Sequence, residues 1–523
     1  MSGLTEWPTF PPYALARARP IGQNRAKSNC TCSFTFARDL THPEDSPERG
    51  RSSAIPPAVA IDGGVQVSDD RPAAQPTGRA AGTREPDGPV TFRDLFAVRE
   101  YRALYFSLVI NWLGDYLARA AIVTLVYQQS DSVLLSAASF AVSYLPWIVG
   151  GPVLAALADR YPYRRVLISV DLARAVPIAL IALPGMPVAA ILILLFVAML
   201  GAPPAQAARS ALIPLILDRR KVVTGLAVNA STAQAAQVVG YLAGAILATA
   251  VNARLGIALD ALSFVLSAMI IALWVRPRAT ATAPEQRRHL LRETAEGFRL
   301  VFGTPLLRSI ALLVFALTTF TILPEGLAAG WAALFHSEDP AARGFDQGLI
   351  MAASPVGFVI GGLVVGRLVH PPARRRLVKP FAVLTPLALA LTMFAPNAPT
   401  VAVLAAISGF AMGGVMPTLN GEFVLALPHG YRARAYGVMQ SGVQFTQFFA
   451  VVATGALAQI SSIPLVVGLW SIGGLILMLA LASRWPQHDP QEQPIAVPAP
   501  GDAEATHVTP GRVLPTTAGK LER

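Results

Sequence analysis

Twelve long apolar segments, separated by short polar or basic connections, fill the chain between about residues 102 and 484. Each is close to the roughly 20 residues that an α-helix needs to cross the hydrocarbon core of a bilayer. The predicted spans are 102–127, 132–157, 166–184, 187–206, 222–250, 255–275, 307–334, 347–369, 377–395, 399–427, 434–460 and 463–484. This pattern predicts an all-α integral membrane protein with twelve transmembrane helices.

The apolar segments fall into two groups of six, with polar sequence before, between and after them. We expect a disordered tail over 1–89, a first half over 90–275, a second half over 307–484 and a disordered tail over 485–523. The linker over 276–306 is rich in arginine, and its part from Glu285 to Phe302 has the pattern of an interfacial amphipathic helix. We expect both tails and the linker to be cytoplasmic.

The composition agrees with a membrane protein. The 523 residues are 53% hydrophobic and 14% charged, against roughly 25% charged in soluble domains. Basic residues concentrate in alternate connections, which by the positive-inside rule places both termini in the cytoplasm. We therefore interpret the net charge of +11 as the result of basic loops that orient the protein in a bilayer, and not as a sign of nucleic-acid binding. Abundant arginine and alanine indicate a bacterial source, and hence an inner membrane.

The sequence contains no pattern typical of an enzyme, a metal site or a cofactor site. There is no phosphate-binding GxxxxGK[ST] loop, no HExxH and no GxSxG elbow. Cys30 and Cys32 are the only cysteines and lie in the N-terminal tail, so no disulfide can join the predicted spans. We expect no enzymatic activity, no metal and no cofactor.

The two halves are related by an internal repeat with an offset of 210 residues. This offset places Asp115 on Glu325 and superimposes Gln234 and Gln237 on Gln444 and Gln447. It also aligns the basic loops that follow the second span of each half, Arg164 with Arg374 and Arg165 with Arg375. A constant offset at three separated places predicts two pseudo-symmetric six-helix halves.

Ionisable residues inside the spans are the main candidates for chemistry, because each is costly in a bilayer. Asn111, Asp115 and Arg119 recur every fourth residue and form a polar stripe on the first span. Asp115 and Arg119 have two interpretations: an ion pair within one helix, or a carboxylate that faces a cavity and binds a proton or a cationic substrate.

Glu325 has no basic residue within one helical turn, which makes it the better candidate for a proton site. Asp171 and Arg174 are expected to form a structural pair early in the third span. Asp260 and Glu422 lie near the ends of their spans, where we expect water to reach them.

Neutral polar residues and glycines inside the spans are further candidates for substrate contact or helix packing. Five glutamines on mid-membrane faces either contact a polar substrate or join helices: Gln234, Gln237, Gln440, Gln444 and Gln447. Glycines at four-residue spacing, Gly240 with Gly244 and Gly357 with Gly361, Gly362 and Gly366, predict close helix packing.

The loop after the second span carries the most specific motif, AALADRYPYRR at 155–165. It resembles G-x-L-A-D-R-x-G-R-R, the signature of the major facilitator superfamily, with Ala155 and Pro162 in place of two glycines. Shorter runs, DLAR at 171–174, ARSALIP at 208–214 and LDALSF at 259–264, resemble its drug:proton antiporter branch, which includes enterobactin-exporter and macrolide-efflux proteins. The fifth span reads GYLAGA at 240–245 and lacks the proline of the branch's G-P-x-x-G-G motif.

This resemblance implies the major facilitator fold and proton-driven efflux of a small organic compound, as in multidrug resistance, by alternating access. The family's cytoplasmic gating motif would comprise Ala155, Asp159, Arg160, Arg164 and Arg165. The expected partners are the substrate, protons and lipid, with a monomeric protein. An importer or facilitator of the same fold is the alternative, and a non-transporting scaffold or sensor is a more distant one.

Overall fold

A computed structural model of the chain describes residues 91–158, 160–278, 290–336, 338–428 and 431–483. These residues form helices and short connections, without a β-strand in any of the five ranges. The predicted all-α class is therefore confirmed. The two predicted tails, with Cys30 and Cys32, lie outside the described residues.

The described residues of the first half form nine α-helices and the π-helical turn Ala248–Asn252. Every predicted span coincides with one or two of the α-helices. They are α1 Phe92–Phe96, α2 Arg99–Ser130, α3 Val133–Val142, α4 Leu145–Ala158, α5 Tyr163–Ile181, α6 Val188–Met199, α7 Ala202–Ile216, α8 Arg219–Leu247 and α9 Ala253–Trp274. The second predicted span is α3 followed by α4, with a bend of about 40° between them. Pro146 lies at this bend, where its ring and missing N–H interrupt a helix.

The described part of the linker and the second half contain eight more helices. They are α10 Leu290–Gly303, α11 Pro305–Thr321, α12 Leu323–Phe335, α13 Pro340–Leu368, α14 Pro371–Ala390, α15 Ala398–Ala426, α16 Arg432–Ile460 and α17 Ile463–Ser483. The seventh span breaks between α11 and α12, just before Pro324. Helix α10 overlaps the predicted amphipathic segment, which ends one residue earlier at Phe302. Arg434 of α16 donates to Glu296 of α10 at 2.7 Å.

Nine helices in the described ranges are long and apolar enough to cross a membrane, or ten if α3 and α4 are taken as one span. That number takes Arg219–Trp274 as one run of 56 residues, although Asn252 within it is extended at φ −168° and ψ 126°. The chain turns there, and α8 and α9 both pack along α2. Helix α5 carries four charged residues, including Asp171 and Arg174, which lowers its hydropathy. Twelve spans remain the prediction from the sequence pattern.

Glycines allow the closest helix contacts, as predicted from their spacing. A Cβ on Gly244 of α8 would overlap the Leu117 carbonyl of α2, and one on Gly361 of α13 would overlap the Phe410 carbonyl of α15. Gly366 is different, because a Cβ there would meet nothing within 4 Å. The packing interpretation therefore holds for Gly244 and Gly361 but not for Gly366.

The two halves contact each other at the end of the bundle predicted to be external. Thr124 of α2 donates to Oε1 of Gln347 in α13 at 2.8 Å, and Gln347 Nε2 donates to the Ala120 carbonyl at 3.1 Å. Ser132 donates to Oε1 of Gln459 in α16 at 3.1 Å. These hydrogen bonds hold the halves together at that end.

Candidate functional site

Two neighbouring groups of residues inside the bundle contain the candidate site residues. One group, here called the ionic cluster, joins four helices of the first half and comprises Asn111, Asp115, Asp171, Arg174, Arg209, Asp260 and Ser267. The other, the junction cluster, lies where the halves meet and comprises Tyr116, Arg119, Phe140, Tyr144, Gln237, Tyr241 and Glu325.

In the ionic cluster, Asp115 is held by a different arginine from the one predicted. Its Oδ1 accepts from Nη2 of Arg174 on α5 at 2.6 Å. Of the two interpretations of Asp115, the ion pair with Arg119 is therefore wrong. Residues four apart on one helix can meet, but here Arg174 reaches the carboxylate from a neighbouring helix and the Arg119 guanidinium turns toward aromatic rings.

Asp171 is fully buried and receives three polar contacts from three helices. Its carboxylate accepts from Ser267 Oγ at 2.6 Å and from Asn111 Nδ2 at 3.2 Å, and Arg209 Nη2 lies 3.6 Å away. The predicted pair of Asp171 with Arg174 is wrong, because Arg209 of α7 is its ion-pair partner. Two interhelical ion pairs thus replace the two pairs predicted within single helices.

Asp260 and Glu422 are both buried, against the expectation that water reaches them. Asp260 is 1% exposed, and its Oδ1 accepts from Ser263 Oγ at 3.1 Å. It packs so closely on Gly114 that a Cβ there would lie 2.5 Å from Oδ1. Glu422 is 8% exposed and accepts from Arg375 Nε at 2.6 Å. Position near a helix end did not expose them, because neighbouring helices cover both carboxyls.

In the junction cluster, Glu325 joins the two halves through hydrogen bonds. It is 5% exposed, and its Oε2 accepts from the Tyr241 hydroxyl at 3.1 Å and from Gln237 Nε2 at 3.3 Å. Gln237 and Tyr241 are four residues apart on α8 and so share one face. Glu325 lies in the first turn of α12, where the helix dipole stabilises a negative charge.

Arg119 lies in a cage of aromatic rings. Its guanidinium carbon is 5.8 Å from the ring centre of Tyr116, 5.4 Å from that of Phe140 and 5.9 Å from that of Tyr144. Such distances are typical of cation–π contacts, which stabilise a desolvated cation by about 2 kcal/mol. Within the described ranges, no carboxylate lies within ion-pair distance of Arg119.

The other predicted site residues are not brought into these clusters by hydrogen bonds. Gln234, Gln444 and Gln447 are half-buried and Gln440 is exposed. In the gating motif, Asp159 and the Ala155 side chain lie outside the described residues, and Arg160 and Arg165 are exposed. Arg164 donates to the Ala272 carbonyl at 2.6 Å, which ties the start of α5 to the last turn of α9.

Several residues of the two clusters were not predicted as site residues. Tyr241 had a signal, since it follows Gln237 by one helical turn on a polar face. Phe140, Tyr144 and Ser267 had no such signal in the sequence. An aromatic or small residue in an apolar span looks the same whether it packs between helices or lines a site. Within the described ranges, no group of three or more His, Cys, Asp or Glu residues is arranged to hold a metal ion.

Comparison with known proteins places this arrangement in a family of transporters. The model of the Major Facilitator Superfamily matches residues 104–378 and 325–517. The chain is 25% identical over 369 residues to the multidrug efflux pump Tap of Mycolicibacterium fortuitum, which covers 68% of this chain and 88% of Tap.

Two further efflux proteins match over shorter lengths. The enterobactin exporter EntS of Shigella boydii is 27% identical over 52% of this chain and 64% of its own length. Macrolide efflux protein A of Streptococcus pyogenes is 20% identical over 43% of this chain and 56% of its own length. The predicted resemblance to efflux proteins is confirmed.

Solved structures support the same fold. A variant of the nucleoside transporter NupG superimposes with a TM-score of 0.60 at 11% identity, covering 73% of this chain and all of that one. At this identity the likeness concerns the fold alone.

Proposed function

Because the chain belongs to the major facilitator superfamily, we propose that it exports a small organic compound from a bacterial cell by alternating access, in exchange for protons. The names of its relatives, a multidrug efflux pump, a macrolide efflux protein and an enterobactin exporter, support export of a drug, siderophore or secondary metabolite. The protein acts in the inner membrane as a monomer with both termini in the cytoplasm.

The proposal of proton coupling rests on one observation, the buried Glu325 carboxyl that lies between the two halves. In its ionised form it accepts charge-assisted hydrogen bonds from Tyr241 and Gln237 of the other half. A proton on Glu325 removes the charge and weakens those bonds. Protonation therefore changes the free energy of contact between the halves, as a coupling site in alternating access requires.

The junction cluster also supplies a surface for an organic substrate. The aromatic rings around Arg119 provide apolar area, and Asn111, Gln234, Gln237, Gln440, Gln444 and Gln447 provide amides along the faces predicted to line the cavity. We assign substrate contact to this set together with Asp115, Arg119 and Glu325. Asp115 contributes less to proton exchange than Glu325, because Arg174 already neutralises it. The gating motif around Asp159 controls the switch and does not contact substrate.

The test is transport by Glu325→Gln in vesicles with and without an imposed pH difference. The variant keeps the hydrogen-bond acceptor but cannot bind and release a proton. We expect substrate accumulation driven by the pH difference to fall by roughly 5- to 150-fold, the usual range of coupling between two sites, while exchange down the substrate gradient persists.

Glu338→Gln is the matched control, because Glu338 is an exposed glutamate of the same half. It should respond to the pH step as the natural protein does. A full pH response in Glu325→Gln would show that Glu325 is not the coupling site. Vesicles of both orientations also report direction, since uptake into right-side-out vesicles would favour an importer.

A further inference from the structure

The buried and partly buried charges around α2 do not balance, Asp115 and Arg119 being the two that are partly buried. The carboxyls are those of Asp115, Asp171, Asp260 and Glu325, and the guanidiniums are those of Arg119, Arg174 and Arg209. If all seven were ionised, one negative charge would be left without a counter-charge inside the bundle. Such a charge is costly in a low-dielectric interior, where a carboxyl is neutralised by a proton instead.

The ion pairs show which carboxyls are available to bind that proton. Arg174 lies 2.6 Å from Asp115 and Arg209 lies 3.6 Å from Asp171. In each pair the charges of the carboxylate and the guanidinium cancel, so neither carboxylate needs a proton. In the described ranges neither Asp260 nor Glu325 has a guanidinium within 4 Å. Among the residues that the structure describes, Asp260 has the Ser263 hydroxyl as its one hydrogen-bond partner.

The surroundings of Asp260 favour a proton over a bare charge. Asp115 and Arg119 of α2 and Asp171 and Arg174 of α5 are the charged groups that face it. The Asp115 carboxylate repels a second negative charge, and Arg174 is already engaged with Asp115. No residue of α7 or α8 lines the void beside Asp260.

That void offers a place for a proton carrier. It has a volume of about 10 Å³ and is lined by Asp260, Asp115, Arg119, Ser139 and Ser143, among others. A cavity of this size with polar walls is at the threshold for holding one water molecule. Arg119 lines the void, and its charge also acts on Glu325. Arg119 is therefore a cation that can act on both of the carboxyls that lack an ion pair.

We propose that Asp260 is a second proton-binding site, in the first half of the bundle and separate from Glu325. A hydronium ion transfers a proton to a carboxylate oxygen of Asp260: one O–H bond of hydronium breaks, one O–H bond forms on the carboxyl, and a neutral water is released. Arg119 then serves as the counter-charge for whichever of Asp260 and Glu325 is ionised. The link to transport rests on the proposed function, but the occupancy of Asp260 by a proton does not.

Infrared difference spectroscopy on the full chain in lipid, between low and high pH, observes protonated carboxyls directly. The natural protein should lose C=O absorption of protonated carboxyls as pH rises. Asp260→Asn, which keeps an oxygen acceptor for Ser263, should remove one component of that signal. Glu325→Gln should remove a different component, and because Arg119 is then available to Asp260 alone, the Asp260 component should remain but disappear at a lower pH than in the natural protein.

Two further variants make the assignment specific. Glu422→Gln is the matched control, because Glu422 is a buried carboxyl that is paired with Arg375, and it should leave the spectrum unchanged. Ser263→Ala removes the hydrogen bond to Asp260 and should shift the Asp260 component to higher frequency.

The proposal is overturned if Asp260→Asn leaves the carboxyl signal intact, or if Ser263→Ala moves no component. The Ser263 variant keeps the proposal testable should Asp260→Asn fail to fold. Failure of the proposed function is a separate result. If Glu325→Gln vesicles keep their pH response while the Asp260 component is present, coupling through Glu325 is wrong and the Asp260 site stands.

Discussion

Arg174 shows how much depends on a single buried side chain. Its side chain is 4% exposed, its Nη2 donates to Asp115, and its guanidinium lies 4.2 Å from the ring centre of Phe264. A pair of this kind adds little net stability when complete, because both charges lose hydration. Removal of one partner is different, since the remaining charge stays buried without compensation.

We therefore expect Arg174→Met to lower the free energy of unfolding by about 3–5 kcal/mol, the usual cost of breaking a buried ion pair. Unfolding in mild detergent, titrated with a denaturing detergent and followed by circular dichroism, measures this change. The double variant with Asp115→Asn should recover part of the loss, because the uncompensated carboxylate is then absent.

Lys221→Met is the control for loss of a cation. Lys221 pairs with Asp218 at 3.3 Å, and the Asp218 side chain is 73% exposed, so the expected change is below about 1 kcal/mol. Equal destabilisation by Arg174→Met and Lys221→Met would contradict a structural role for the Arg174–Asp115 pair.

At the scale of helices, contact between α13 and α15 depends on glycine. Gly357 and Gly361 of α13 face the carbonyls of Ala406 and Phe410, and Gly409 of α15 faces the Ser354 carbonyl. Lipid is as apolar as leucine, so helices in a bilayer associate through close packing of small residues and not through a hydrophobic driving force. The backbones approach closely because these positions lack a Cβ.

Gly361→Val should separate α13 from α15 and lower the free energy of unfolding by about 1–3 kcal/mol, the usual cost of overpacking. Gly366→Val is a matched control on the same helix, because a Cβ at Gly366 meets nothing within 4 Å. Thermal unfolding of both variants in one detergent compares them. If the two midpoints fall equally, valine itself and not helix contact is responsible.

For the whole molecule, the proposed alternating-access cycle requires the contacts that join the halves at the predicted external end to open. Thr124 with Gln347 and Ser132 with Gln459 are hydrogen bonds between the halves. An alternating-access cycle needs a second state in which these bonds are broken. A covalent link at the same place should stop the cycle.

We expect Ser132→Cys with Gln459→Cys, in a chain whose Cys30 and Cys32 are replaced by serine, to cross-link readily and lose net transport. Reduction should restore transport, and substrate with a pH difference should lower the cross-linking yield. Each single-cysteine variant serves as the control and should transport in both conditions. Undiminished transport by the cross-linked protein would mean that the halves do not separate there.

Helix positions and the family were predictable from the sequence. Hydropathy is a property of consecutive residues, and a span needs about 20 of them, so the predicted spans coincide with helices throughout the described ranges. The family motif at 155–165 is likewise a local feature of the chain. Close packing at Gly244 and Gly361 followed from four-residue spacing, which places small side chains on one helix face.

Only the tertiary structure decided which charges meet. Spacing along a helix allowed Asp115 with Arg119 and favoured Asp171 with Arg174, but Arg174 pairs with Asp115 and Arg209 with Asp171. Arg119 lies among aromatic rings instead. The burial of Asp260 and the bond between Tyr241 and Glu325 likewise arise between segments far apart in the chain. The sequence determined where the helices lie and which face of each is polar, because those are local periodicities. The partners of the polar groups depend on how the helices pack, because an arginine side chain is long enough to reach carboxylates on several neighbouring helices.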